Sequence, residues 1–308
     1  MSVATRGLLP EVYEARTAQL IFKEYNAEPL YYPQLLNVVP SNKAYEDWFE
    51  VTGLGTFRLK PEGTPITYDV PVQGPRRRVV HSTFALGFTA TMEARQDAQY
   101  DVLDQQATDL GAAGREHQDI FAFGLPNDFF AGATYKLADP AGTDLAVCSA
   151  SHGIWKPKVP GTTASNLINV ALSTTGLELA MVTLRLTKTR EDRFTNLQGK
   201  VLLVHPSKEH RVYELLNTVQ KVDSNENNLN TMASSRTGIM GLSVPYMADQ
   251  DDWFLFTDKS KHKFFYHARM DMDVDSGKDF QTRNTMNDAV YRGSLAAKDW
   301  RGVVGSNL

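Results

Sequence analysis

The chain has 308 residues, 42% of them hydrophobic and 22% charged, and its 32 basic against 36 acidic side chains leave a formal net charge of −4. That balance excludes the basic footprint of a nucleic-acid binder, whose affinity comes chiefly from Lys and Arg neutralising phosphates. One cysteine, Cys148, excludes an intramolecular disulfide framework, and no run approaches the ~18 apolar residues of a membrane span.

Near the start, LLPEVYEARTAQLIFKEY reads as a short amphipathic helix. Pro10 suits its first position, and Leu9, Val12, Tyr13, Leu20 and Ile21 supply apolar contacts. The opening residues lack a signal peptide's apolar core, so a protein made and used in a cytoplasm is expected. EPLYYPQLLNVVPSN follows, with three prolines and no periodicity, and reads as an arm that lies against something.

From Trp48 to Ala90 the character changes to strands: TFRL, a turn at KPEGTP, ITYDVPV, a second turn at QGP, then RRRVVHSTFALGF. Two of these carry little apolar material on either face, so a long polar ribbon in need of a partner is expected. Residues 91–121 carry the strongest periodicity. Tyr100, Leu103, Ala107, Leu110, Gly114, His117 and Phe121 alternate spacings of three and four, the stripe of an amphipathic helix entered at Thr91 and Glu93. Such a helix would be on the order of 40 Å long. Its charge is lopsided, with Glu93, Asp97, Asp101, Asp104, Asp109, Glu116 and Asp119 against Arg95 and Arg115.

YKLADPAGTDLAVCS then predicts a strand pair around a Pro/Gly turn, and KPKVPGTTASN a flexible segment. A helix is predicted from Leu177 to about Leu186, opened by a capping box of Thr175 and Glu178. KVLLV has the continuous apolar character of a strand buried on both faces. It feeds HPSKEHRVYELLNTV, where Val212, Leu215, Leu216 and Val219 recur at helical spacing. Together these make a compact α/β unit. NENNLNTMASSR reads as a polar loop. GLSVPYM, DWFLFTD and KFFYHARMDMDV read as strands, the last two joined by DKSKH, and TMNDAVYRGSLAAKDWRGVV closes the chain as a mixed segment.

Within RMDMDVDSG, three aspartates on alternate residues raise the question of a calcium loop. Counted from Asp271, position 6 is Ser276 where an EF-hand needs Gly, and position 12 is Thr282 where it needs Glu. Met270, Met272 and Val274 share one parity, which predicts a half-buried strand with a solvated acidic face.

Signals for chemistry are sparse. The sequence contains no GxSxG, GxGxxG, GxxxxGKS or HExxH, and no histidine pairs with cysteine at zinc spacing. His205 and His210 are separated by Pro206, between a strand end and a helix, so their rings need not converge. Cys148 within LAVCSA sits in an apolar strand where a thiol is inert. No catalytic, cofactor-binding or metal-ligating residue is expected. Arg76, Arg77 and Arg78 have two readings: a solvated loop tip, or a tether to an acidic surface on an adjacent subunit. The nearest candidates for that surface are Asp97, Asp101 and Asp104, whose spacing of four and three places them on one helix flank.

Taken in order, the ribbon, GFTATMEARQDAQYD, DLAVCSASH, GKVLLVHPSKEHRVYELLN, VPYMADQDDWFLF, ARMDMDVDS and KDWRGVV resemble a tailed-phage major capsid protein of the Hong Kong 97 fold. The resemblance covers nearly the whole chain and lies nearest the Mu-like major head subunit group. It implies an α+β fold with an N-terminal arm (1–47), an extended E-loop (48–90), the spine helix and first part of the P domain (91–164), an A domain (165–260), and a P-domain strand with C-terminal return (261–308). It further implies self-assembly through pentamers and hexamers into an icosahedral shell around double-stranded DNA, bound without sequence specificity. Scaffolding, portal and decoration proteins would be partners, no membrane would be involved, and the virion capsid would assemble in the bacterial host cytoplasm. Scaffolding by this chain itself is not expected, since the arm begins within the first few residues. The competing readings are a small-ligand enzyme on the α/β unit, with His205 near a pocket, and a ring-forming tail component.

Overall fold

Two sheets, one of four strands and one of five, form the frame onto which the helices pack. The computed structural model describes residues 10–96, 100–138, 144–154, 163–218 and 229–308. Helix α1 (Pro10–Tyr25) starts at the proline, whose missing N–H is one of the donors a first turn leaves unbonded anyway. The segment after it is not a detached arm. Its short helix α2 (Tyr32–Leu35) buries Tyr32 and Leu35, Leu36 follows them into the core, and β1 (Asn37–Pro40) becomes an edge strand of the four-stranded sheet.

Strands β2 (Tyr45–Val51) and β3 (Gln73–Val80) form a separate antiparallel pair. TFRL and ITYDVPV, expected as strands, lie in the stretch 52–72, which joins no ladder. The expected polar ribbon is also corrected: Phe57, Leu59, Ile66, Tyr68 and Val70 all stand exposed on it. Alternation of apolar residues was present, but a strand is stabilised by its pairing neighbours, and a lone chain offers none here.

β4 (Ser82–Ala90) leads to α3 (Met92–Gln96), whose Ala94 N–H donates to the Thr91 hydroxyl at 3.2 Å, and then to α4 (Tyr100–Asn127). The stripe buries Leu103, Ala107 and Leu110 as expected, and the helix runs on past Phe121 to bury Ala122, Phe123 and Leu125. α1 crosses α4 at Gly111, where a Cβ would come within 2.3 Å of the Ile21 carbonyl oxygen. Only glycine allows that approach.

Small antiparallel pairs follow: β5 (Leu137–Ala138) with β6 (Asp144–Leu145), the expected strand pair, whose Pro/Gly segment lies outside the described residues, and β7 (His152–Gly153) with β8 (Thr163–Ala164). Next come β9 (Leu167–Ile168), α5 (Thr174–Leu186), β10 (Gly199–Val204), α6 (Glu209–Asn217), α7 (Ser234–Thr237), β11 (Met240–Ser243) and β12 (Trp253–Thr257). The cap of α5 is Ser173, whose Oγ accepts from Gly176 N at 3.0 Å, and not Thr175, which already lies inside the helix. The expected polar loop runs into α7 at its end and buries Met232 and Ala233. Val219 lies outside the described residues.

β13 (Phe264–Lys278), β14 (Thr285–Ala297) and β15 (Val303–Ser306) complete the chain. The turn at 258–262 does not make a hairpin, because β12 and β13 belong to different sheets. On β13, Asp271, Asp273 and Asp275 are exposed, Met272 is buried and Val274 half-buried, so the acidic stretch is a strand. β14, expected only as part of a mixed segment, runs between β13 and β4 in the order β1-β13-β14-β4.

The five-stranded sheet has the order β11-β10-β12-β15-β9. Alternate residues feed its two faces. Leu203, Phe254, Phe256 and Val303 join Phe123, Phe129, Phe264 and Leu295 in the main core. Leu202, Val204, Trp253, Leu255 and Val304 face the other way, where α5 and α6 cover them. A third cluster, with Ile21, Ala107, Leu110, Met272 and Tyr291, seats α1 and α4 on the four-stranded sheet.

Candidate assembly surface

The β2–β3 pair is the root of the exposed stretch 52–72, and a buried ionic cluster fastens it to the body. Glu50 on β2 accepts from Arg190 (Nε at 2.9 Å) and from Arg301 (Nη1 at 3.1 Å). Both arginines are buried, and Arg301 is held in turn by Asp299 at 2.9 Å while Arg190 donates to the Gly153 carbonyl at 2.6 Å. Two cations thus face two carboxylates, which is the condition for charges to remain ionised in a low-dielectric setting. The link ties together β2, the segment after α5 and the segment before β15.

Arg76, Arg77 and Arg78 lie on β3 at this root, not at a loop tip; the loop turns farther out, at 62–63. Arg76 and Arg78 both pair with Asp47 on β2, and Arg78 also lies 3.7 Å over the Tyr45 ring. Their guanidinium groups, Arg78 first, hold the Asp47 carboxyl at about 2. Arg77 pairs with Asp144 on β6. Within one chain these arginines therefore do not meet the described aspartates of α4. Asp101 is exposed, Asp104 pairs with Arg16 of α1, and Asp97 lies outside the described residues.

Beyond the root, the two arms of the loop run side by side. Thr52 N donates to the Val72 carbonyl at 2.9 Å, Val72 N to Thr52 Oγ1 at 2.8 Å, and Gly55 N to Asp69 Oδ2 at 2.8 Å. Phe57 and Leu59 share one parity on the first arm, Ile66, Tyr68 and Val70 share one on the second, and all five find no cover. A groove of ≈ 370 Å3 elsewhere on the surface, between β4, β14 and α4, is lined by Phe84, Leu86, Ile120, Met272 and Tyr291.

Among the described residues no group of three His, Cys, Asp or Glu side chains could hold a metal ion, and no helix is long and apolar enough to cross a membrane. Burial pushes the Cys148 thiol far up, although the residue sits in a bend after β6 and not in a strand. Burial also holds His152, His262 and His267 down at about 4. His205 Nδ1 accepts from Ser207 N at 3.2 Å and so caps the short turn at Pro206–Lys208.

Sequence reasoning missed two features. One is the Glu50 cluster, whose members carry no shared local pattern. The other is Asp119, counted among the helix's acidic residues with no role of its own but buried, where its carboxylate accepts from Tyr31 N and Tyr32 N at 3.0–3.2 Å and fixes the start of α2. Burial raises its pKa despite those bonds.

Comparison with known proteins gives a consistent result. The family model described as phage capsid protein matches residues 77–306. No curated protein sequence matches. Among solved structures, the chain is similar to a virus-like particle from Pyrococcus furiosus, with a TM-score of 0.57 at 8% identity over 96% of this chain and 99% of that one. It is similar to the procapsid of bacteriophage JBD30, with 0.54 at 14% over 99% and 76%. It is also similar to the mature capsid of bacteriophage PhiM1, with 0.58 at 9% over 91% and 87%. The shared property at such identities is the fold, an α+β capsid fold of the Hong Kong 97 type.

Proposed function

The chain belongs to the phage capsid protein family and is a major capsid protein that forms a virion shell, and from that premise we propose that the stretch 52–72 is the strap by which neighbouring copies hold one another. The observation that carries this is the row of exposed apolar side chains on a loop whose root is fixed by a buried ionic cluster. A rigid root with an uncovered apolar reach buries in an assembly what it cannot bury alone.

In this reading the shell is icosahedral, is built from pentamers and hexamers, and encloses the double-stranded DNA of a tailed phage or prophage. The subgroup is the Mu-like one. Residues 1–47 are the arm, 48–90 the E-loop, 91–164 the spine helix and first part of the P domain, 165–260 the A domain, and 261–308 the P-domain strand and return. Assembly takes place in the bacterial cytoplasm with scaffolding, portal and decoration proteins. The formal charge of −4 suits a wall that does not grip phosphates. The role is structural and not catalytic.

A second contact is the pairing of Arg76, Arg77 and Arg78 with Asp97, Asp101 and Asp104 of an adjacent copy. Exposed ion pairs contribute about 0.2–1 kcal/mol each, so exchange of the in-chain partners Asp47 and Asp144 costs little. The strap is tested by Phe57→Asp with Tyr68→Asp. Subunits should stay folded and fail to form particles; normal particles from the double variant would sink the strap.

A further inference from the structure

The layer of α5 and α6 on the five-stranded sheet is uncovered at both flanks. α5 sends Leu177, Ala180 and Leu184 into the core. Its opposite side is apolar as well: Leu179, Val182 and Leu186, at i, i+3 and i+7, are 44%, 51% and 57% exposed. Glu178 and Arg185 are the sole charged residues of the helix. A helix apolar on both sides is built to be covered on both sides.

The other flank offers a matching concavity. There α6 rests on β11, the edge strand, and a groove of ≈ 660 Å3 lies between them with Val212, Leu216 and Ile239 as floor and the exposed Tyr213 and Met240 as walls. The groove is a product of close packing, since a Cβ on Gly241 would come within 2.4 Å of Val212 Cγ1. α5 packs by β15 and α6 by β11, so stripe and groove sit toward opposite ends of one sheet. Two different, complementary patches on opposite flanks make a heterologous contact, the kind that closes into rings of identical copies. Charge agrees with this. Arg185 flanks the stripe and Glu209 lines the groove, and neither has an ion-pair partner among the described residues.

We propose that the α5 stripe of one copy seats in the α6–β11 groove of the next copy around a symmetry axis, with Arg185 facing Glu209. This rests on the shell reading above and names the surfaces that close each ring.

Site-specific cross-linking tests it. The single native thiol, Cys148, is buried and inert, so introduced cysteines report alone. Two double variants are used, Val182→Cys with Met240→Cys, and Leu186→Cys with Tyr213→Cys, all at exposed positions. Particles oxidised mildly should give a covalent ladder ending at the ring size in at least one double variant and none in any single variant. Particles that form without a ladder in either double variant overturn the proposal, as do dimers from a stripe cysteine alone, which would mean the stripe meets itself. Failure of the unmodified chain to form particles would overturn the shell reading, and this contact with it.

Discussion

Replacing Glu50 by Gln keeps the shape of the side chain and removes one negative charge from the root of the loop. Glu50 accepts from Arg190 at 2.9 Å and from Arg301 at 3.1 Å, so the change takes away the carboxylate that both buried guanidinium groups share and leaves Arg301 its ion pair with Asp299. At an effective dielectric near 20, each lost charge contact is worth about 4 kcal/mol gross. Most of that is offset by the desolvation Glu50 no longer suffers. Breaking a fully buried pair costs about 3–5 kcal/mol net, and because the Glu50 side chain keeps some solvent access we expect about 2–4 kcal/mol. The assay is urea unfolding of unassembled subunits, with the midpoint lowered and the slope unchanged. Amide exchange should accelerate most in β2 and β3, where the cluster is the anchor. A Glu50→Gln variant within about 0.5 kcal/mol of the parent would refute the claim that this cluster secures the strap.

Three further outcomes follow from the packing and ionisation. Leu103→Asp or Leu110→Asp should abolish soluble folding, because each forces an unpaired charge into the seam under α4; normal solubility would place the seam on another face. Gly111→Val should destabilise by about 1–3 kcal/mol or more and free α1 from α4, seen as new protease cleavage in α1; unchanged protection would mean the helices do not touch at Ile21. With His152, His262 and His267 held at about 4, the unfolded chain takes up their protons first as pH falls. Stability is then complete above about pH 6.5 and declines toward pH 4, by up to about 1.4 kcal/mol per pH unit for each ring. His267→Leu, which removes a ring with no hydrogen-bond partner among the described residues, should flatten that acid limb; an unaltered limb would contradict the assignment.

Legibility in the sequence followed local repetition. The α4 stripe and the alternation in RMDMDVDSG each repeat over several turns or residue pairs; the alternation appears as read, and the stripe holds at Leu103, Ala107 and Leu110, while farther on Gly114 and Phe121 are half-buried and His117 is exposed. β14 was obscured because Asn287, Asp288 and Gly293 are poor strand formers; its state is decided by ladders on both sides, and Asn287 is almost wholly buried there. The opposite error fell on TFRL and ITYDVPV, where the pattern of a strand exists without a partner to pair with. At the candidate surface the arginine run was visible, but its partner Asp47 came from a strand that composition did not mark. Glu50 lies 140 positions from Arg190 and 251 from Arg301, a distance at which no spacing rule operates.

The most direct measurement is electron cryomicroscopy of the unmodified chain after assembly, resolved well enough to trace residues 52–72 from one copy onto another. The account predicts closed shells in which Phe57, Leu59, Ile66, Tyr68 and Val70 are covered by neighbouring copies. A stable 34.4 kDa monomer under every assembly condition, or rings and tubes in which that stretch stays uncovered, would contradict it.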